Sequence, residues 1–296
     1  MSNTKKIIAV IGATGQQGSG VVHALTASGE FHVRALSRNP NKYQGDADEV
    51  VEADLNRPET LPAAFKEAYG VFAVTNFWES GIDEITQGKS AVDAAKAAGV
   101  KHFVWSTLPD VELISGGAFD VPHFTNKAKV DDIVKHADFD YFSFVIASFF
   151  YQNFLGSLAP QKQQDGSEGW TLPIDPGVKG IHMGDITELG KLVAGAFAHP
   201  DKAGAGQYLP LIGDLLSFNE IVATLNQQGH QYTYHQVPRE VFASFFPGAD
   251  ELAEMFGYFE QYTYLGGQYD EQLKLAISVS GGPATDFSHW AKTNMK

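Results

Sequence analysis

The sequence predicts an α/β fold, a doubly wound parallel sheet with a smaller mixed α/β region toward the C-terminus, on three observations. Short apolar runs alternate with segments of helix length through the first half of the chain. Several runs are apolar on successive residues, as burial on both faces of a parallel sheet requires. A glycine-rich turn stands directly between the first run and the first helix.

In order, the expected strands are Lys6 to Ile11, Phe31 to Ser37, Val50 to Ala53, Val71 to Thr75, His102 to Ser106 and Tyr141 to Ile146. Between them the pattern predicts helices over Gly18 to Ser28, Glu59 to Ala68, Ile82 to Ala98 and Phe124 to His136. After about Asn153 the rhythm loosens, and Pro160 to Gly180 is rich in Gln, Gly, Asp and Pro. Asp185 to His199 reads as a helix capped by Asp185, Tyr208 to Ile212 as a strand, and Phe218 to Gln227 and Ala249 to Tyr262 as amphipathic pieces flanking Tyr232 to Val237. Residues 1–153 are therefore expected to form the first domain, with 154–296 packed on it.

A chain of 296 residues, 44% hydrophobic and 12% aromatic, has ample material for a buried core. Its formal net charge of −14 repels a phosphate backbone, which argues against direct binding of nucleic acid. The absence of cysteine excludes disulfides, thiolate metal sites and a Cys nucleophile. Met1 to Lys6 is polar and runs into Ile7 to Ile11, too short for a signal sequence, and no stretch approaches the ~18 apolar residues of a membrane span. A cytoplasmic or nuclear protein, monomeric or homodimeric and away from membranes, is expected.

Gly12-Ala13-Thr14-Gly15-Gln16-Gln17-Gly18 is the turn between strand and helix. The first glycine makes a tight bend, the second lets backbone N–H groups approach a pyrophosphate, and the third lets the helix pack against the sheet. In a repeated β-α context this predicts a Rossmann-type dinucleotide site. At the end of the second strand, where Asp or Glu would accept the ribose 2′-hydroxyl of NAD, the sequence has Arg38 and Lys42. A guanidinium binds a 2′-phosphate and a carboxylate repels it, so NADP(H) is predicted over NAD(H). Asp54-Leu55, after the third strand, suits either an adenine contact or, through Asp54, the N-cap of the next helix. Thr75-Asn76-Phe77 ends the fourth strand on the carboxyl edge, a place for contacts with the nicotinamide ribose.

The Gly-x-x-Gly-x-x-Gly spacing resembles the loop of atypical short-chain dehydrogenase/reductases. Together with Arg38-Asn39-Pro40, Thr75 to Ser80, Gln87-Gly88-Lys89, His123-Phe124-x-x-Lys127, Tyr151 to Leu155, Phe246 to Ala249 and Met255-Phe256, it resembles the NmrA-like family over most of the chain. Within that family the resemblance is greatest to its human redox-sensing member. The resemblance implies an atypical short-chain dehydrogenase fold that binds NADP(H) and often acts through protein partners, a transcription regulator among them. It also implies cofactor contact at Gly12 to Gln17, Arg38, Thr75, Asn76, Lys127 and Phe150-Tyr151-Gln152-Asn153. The sequence departs from the human member at Ile146-Ala147-Ser148 and in a shorter loop after Ser80.

His123 stands where short-chain dehydrogenases carry the tyrosine of Tyr-x-x-x-Lys, and Lys127 keeps the lysine's place. The i,i+4 spacing puts both on one helical face. An imidazole can carry a proton at neutral pH, so the pair is a catalytic candidate, with Ser106 available to hold a substrate oxygen. In the alternative, Lys127 only holds the ribose, Ser106 only ends a strand, and His123 packs or caps at the helix start. Related benzylic ether and isoflavone reductases that lack the Tyr use a helix lysine as base, which makes Lys127 a second candidate. The ten histidines lack metal-ligand spacing, and Asp131 and Asp132, adjacent on a helix, do not form a carboxylate dyad. The leading expectation is a cofactor redox sensor and regulator. The alternative is an NADPH-dependent reductase of a small aromatic or unsaturated substrate.

Overall fold

The computed structural model describes residues 5–79, 81, 83–163, 165–267 and 269–296. Strands β1 (Lys6–Val10), β2 (Phe31–Ser37), β3 (Glu49–Glu52), β4 (Gly70–Ala73), β5 (His102–Thr107) and β6 (Tyr141–Ile146) join a seventh, Ala205–Pro210. They form one sheet, every neighbouring pair parallel, in the order Ala205–Pro210, β6, β5, β4, β1, β2, β3. Crossovers leave β1 and β4 in opposite directions, so the crevice outside their carboxyl ends is the switch point where such sheets take ligands. The fold is the Rossmann-type doubly wound sheet that the alternation predicted, with smaller mixed sheets beside it.

Both faces of the sheet are covered, which is why its strands are apolar on successive residues. On one face, helices α1 (Gln16–Ser28), α6 (Leu189–Ala198) and Asp270–Ser280 bury Val21, Leu25, Leu192, Val193 and Val279. On the other, α2 (Leu61–Ala64), α3 (Glu84–Ala97) and α5 (Pro122–His136) bury Leu61, Val92, Ala95, Val130 and Val134. A third cluster beyond the sheet's carboxyl edge joins Phe124 of α5 and the short α4 (Val111–Ser115) to the helix Ala249–Tyr262 and two three-stranded sheets. No helix among the described residues is long and apolar enough to cross a membrane.

The helix expected over Glu59 to Ala68 is cut to a 3₁₀ turn, Pro58–Thr60, and the single turn α2. Pro62 lacks an N–H, Glu67 takes a left-handed φ of 61°, and the buried guanidinium of Arg34 donates to the carbonyls of Ala64 and Lys66 at 2.8 and 2.7 Å, closing the helix early. Asp54 does not cap that helix, because its carboxylate accepts from the Asn56 N–H at 2.9 Å and ties off a local turn. The expected helix start at Ile82, and Ser80 before it, fall outside the described residues. Asp185 caps as expected, accepting from the Thr187 N–H ahead of α6.

His102 on β5 is wholly buried, with Nε2 3.2 Å from Ser143 Oγ, whose own proton goes to the Ala203 carbonyl. Burial holds this imidazole at about 3 and His182 at about 4, far below free histidine. The unfolded chain therefore binds more protons between pH 6.5 and 3, so stability present above 6.5 is lost as pH falls through that window. For His102 alone the loss is of order 4 kcal/mol. Urea midpoints measured from pH 7 downward should decline less steeply in His102→Gln than in the unmodified chain; equal slopes would contradict the burial.

Candidate functional site

The carboxyl edge at β1 carries a cradle made of backbone. Gly12 has φ 73°, and a Cβ there would stand 2.8 Å from Val74 Cγ1. A Cβ on Gly18 would come within 2.1 Å of the Gly12 carbonyl oxygen, so only glycine lets α1 start so near the strand. Gly15 is the N-cap in extended conformation, its N–H bonded to the Gly12 carbonyl at 2.9 Å. No side chain caps α1 and its first turn holds no acid, which leaves its amides and dipole open to an anion. This is a cradle that fits a pyrophosphate. Ser106 Oγ donates to Gln17 Oε1 at 2.6 Å, so a hydroxyl one residue short of the end of β5 fixes this loop.

The cradle lies in a cleft of about 1050 Å³. Toward β2 and β3 its wall includes Arg38, Asp54 and Leu55. Arg38 is 60% exposed in its side chain and ion-paired with Glu79, which comes from the loop after β4. Lys42 ends an exposed 3₁₀ turn and does not line the cleft.

At the other end, the ammonium of Lys127 is buried. It donates to the Thr75 carbonyl at 2.8 Å, to Thr75 Oγ1 at 2.9 Å and to the carboxylate of Glu84, which is 1% exposed. Burial pushes Lys127 below the ordinary lysine range and the Glu84 charge pulls the other way. All three donors of an ammonium are thus in use. One helical turn earlier, His123 Nδ1 lies 2.7 Å from Glu251 Oε1, and the His123 backbone N–H donates to the same oxygen at 3.0 Å. The ring centroid of His123 is 5.8 Å from Phe77 and 5.1 Å from Trp78.

Past His123 the cleft runs on into a chamber walled by Trp170, Phe242, Phe246, Met255, Phe256 and Tyr264, all from the second half of the chain. The Tyr264 hydroxyl donates to the Ala147 carbonyl at 2.8 Å, so it offers the chamber no free donor. Its aromatic walls suit a flat, unsaturated guest, and Gln161, Lys162, Gln163 and Thr171 line the same cleft.

The family model for the NmrA-like family matches residues 4–287. The chain belongs to the NmrA-like family. An NmrA-like family domain-containing protein of Dictyostelium discoideum is 31% identical over 273 residues, 88% of each chain. The NmrA-like family domain-containing oxidoreductase FrzB of a Cladobotryum species is 30% identical over 288 residues, 89% of this chain and 85% of that one. Among solved structures, NmrA, a negative transcriptional regulator, in complex with NADP superposes with a TM-score of 0.81 at 23% identity, covering 99% of this chain and 96% of its own. At that identity the likeness speaks to the fold.

In this NmrA-like chain the residues expected at a cofactor site largely converge. Gly12 and Thr14 to Gly18 form the cradle, Arg38, Asp54 and Leu55 one end, and Thr75, Asn76, Phe77, His123, Lys127, Phe150 and Asn153 the other. Four lie off the cleft. Ala13 is turned inward, 2% exposed. Lys42 faces solvent. Tyr151 is wholly buried against Phe287 and Trp290, its hydroxyl 3.2 Å from the Thr285 carbonyl. Gln152 is bonded to Asp185 at 2.7 Å and to the Ile186 N–H. The sequence reading missed Glu84 and Glu251. Glu84, directly after the N-cap Asp83, reads as an ordinary first-turn acid, and nothing local distinguishes Glu251 from its acidic neighbours.

Proposed function

We propose that this NmrA-like chain is an NADP(H)-dependent oxidoreductase that reduces a small aromatic or unsaturated substrate held in the chamber beyond His123. The observation that carries this reading is that one cleft of about 1050 Å³ joins the glycine cradle and Lys127 to the apolar side chains of Trp170, Phe242, Met255 and Phe256. The name oxidoreductase borne by the relative FrzB supports it, as does the complex of NmrA with NADP. Residues 1–153 would hold the cofactor and 154–296 would supply most of the chamber.

Gly12 to Gly18 would receive the pyrophosphate, and Arg38 the 2′-phosphate once that group displaces Glu79. Thr75 and Asn76 would contact the nicotinamide ribose. When bound, the nicotinamide supplies a hydride. With its three N–H groups engaged, Lys127 acts as a fixed positive charge at the ribose, and His123 is the better candidate for carrying the proton.

The second reading is a sensor of the NADPH/NADP ratio that acts through a protein partner such as a transcription regulator. It draws on Trp78, Phe245 and Phe246, which line the cleft yet are 59%, 48% and 47% exposed, a surface that a partner could read. Such a sensor requires the two cofactor forms to favour different conformations.

NADPH oxidation measured against a panel of aromatic aldehydes and enones tests the choice. Turnover is expected with at least one, faster with NADPH than with NADH. His123→Ala should lower kcat by ~100-fold or more while NADPH still binds by calorimetry. No turnover, with NADPH and NADP⁺ bound at different affinities, would favour the sensor.

A further inference from the structure

We infer that Glu251 is a positioning residue that fixes the tautomer and orientation of His123, so that Nε2 is the atom exchanging a proton with substrate. This inference rests on the reductase reading. Two donors of one residue, the His123 backbone N–H and ring Nδ1, converge on the same carboxylate oxygen, Glu251 Oε1, at 3.0 and 2.7 Å. An ionised carboxylate only accepts, so the hydrogen-bond network assigns the proton to Nδ1 and leaves Nε2 as the other functional atom. Nε2 has no hydrogen-bond partner among the described residues, and His123 lines the cleft. The ring is packed among aromatic neighbours. Phe124 meets it edge-on at 4.8 Å, Phe77 and Trp78 lie at 5.8 and 5.1 Å, and His123 is 9% exposed.

A simpler role for Glu251 is to cap α5, whose N-cap, Val121, has no side-chain acceptor. The backbone bond alone would meet that need. The second bond, to the ring, is what capping leaves unexplained and what proton transfer requires. Glu251 sits on the helix Ala249–Tyr262, where Met255, one turn on, walls the chamber. One helix thus holds both the imidazole and the space where a substrate would lie.

For a carbonyl substrate the balance is complete. The carbonyl carbon accepts a hydride pair from NADPH as the C=O π pair moves to oxygen. That oxygen takes the proton from Nε2 of doubly protonated His123. The carbonyl is reduced to an alcohol and NADPH is oxidised to NADP⁺. His123 is left neutral with its proton on Nδ1, the form that Glu251 holds, and solvent restores the proton on Nε2.

The test is two-bond ¹H–¹⁵N correlation NMR of the full chain labelled at histidine and saturated with NADP⁺, with the His123 signal assigned by its loss in His123→Asn. Neutral His123 should be the Nδ1–H tautomer in the unmodified chain and in Glu251→Gln, whose amide oxygen still accepts. In Glu251→Ala it should change to Nε2–H. With an aromatic aldehyde, Glu251→Ala should lose ~100-fold in kcat, the low end of acid catalysis, with KM within about twofold, and Glu251→Gln should fall between. An Nε2–H tautomer in the unmodified chain, an unchanged tautomer in Glu251→Ala, or undiminished kcat in that variant would each overturn the assignment. If the unmodified chain reduces no carbonyl, the reductase reading fails, and with it the catalytic part of this inference, while the tautomer still decides whether Glu251 sets the ring.

Discussion

Lys127→Met is expected to destabilise the chain by about 3–5 kcal/mol, the usual result of removing one partner from a buried ion pair. Glu84 is 1% exposed on the first turn of α3, and its second oxygen, Oε2, is buried with no hydrogen-bond partner among the described residues. Without the lysine, that carboxylate keeps, among the described residues, the Thr75 hydroxyl alone, which donates to it at 2.6 Å. The companion variant Lys127→Met/Glu84→Gln should recover most of the loss. It removes both charges and still gives Thr75 an amide oxygen, and neutral replacements of a buried pair are often close to neutral in energy. Urea unfolding near pH 7 without cofactor measures both. A single variant within about 1 kcal/mol of the unmodified chain would mean that the pair is solvated.

Gly18→Ala is expected to weaken NADPH binding by ~100-fold or more, about 3 kcal/mol. The new methyl would stand 2.1 Å from the Gly12 oxygen and 2.5 Å from its carbon. Both are backbone atoms, so no rotamer change relieves the contact, and either the loop or the start of α1 must move. The amides of the loop and of the first turn move with it, and these are the groups proposed to hold the pyrophosphate. Titration with NADPH by calorimetry reads the effect, and far-UV circular dichroism shows whether the sheet survives. Unchanged affinity in a folded variant would remove the cradle from the binding site.

Much of the frame is legible in the sequence because it is written in local patterns. Phe31–Ser37, Tyr141–Ile146, Phe218–Gln227 and Ala249–Tyr262 have the bounds that apolar runs and helical spacing predict. The helix over Glu59 to Ala68 does not, because Arg34, on a strand some thirty residues earlier, ends it. The strands Gln161–Lys162 and Glu168–Leu172 are hidden in a polar, glycine-bearing stretch where pairing, not composition, makes the structure. The site divides in the same way. The cradle and the His123–Lys127 spacing are local and visible. The partners that give those side chains their state, Glu84 at a separation of 43 and Glu251 at 128, become neighbours only when the chain folds. The chamber's walls, Trp170, Phe242, Phe246, Met255, Phe256 and Tyr264, come from the part of the chain where the rhythm is loose, so no local pattern gathers them, and it is their convergence on the cleft that favours the reductase over the sensor.

The strand Ala205–Pro210 gives the molecule a schedule. It pairs with β6, some sixty residues behind it, along Phe142 to Ile146. As the chain leaves a ribosome, β6 therefore waits with an open, aromatic edge until residue 210 has been made. Until then the nascent sheet presents the kind of unpaired edge to which other chains add. The half of the sequence that lacks the glycine cradle is thus also the half that ends the sheet's exposure, and a cofactor captured early would find the sheet beneath it still unfinished.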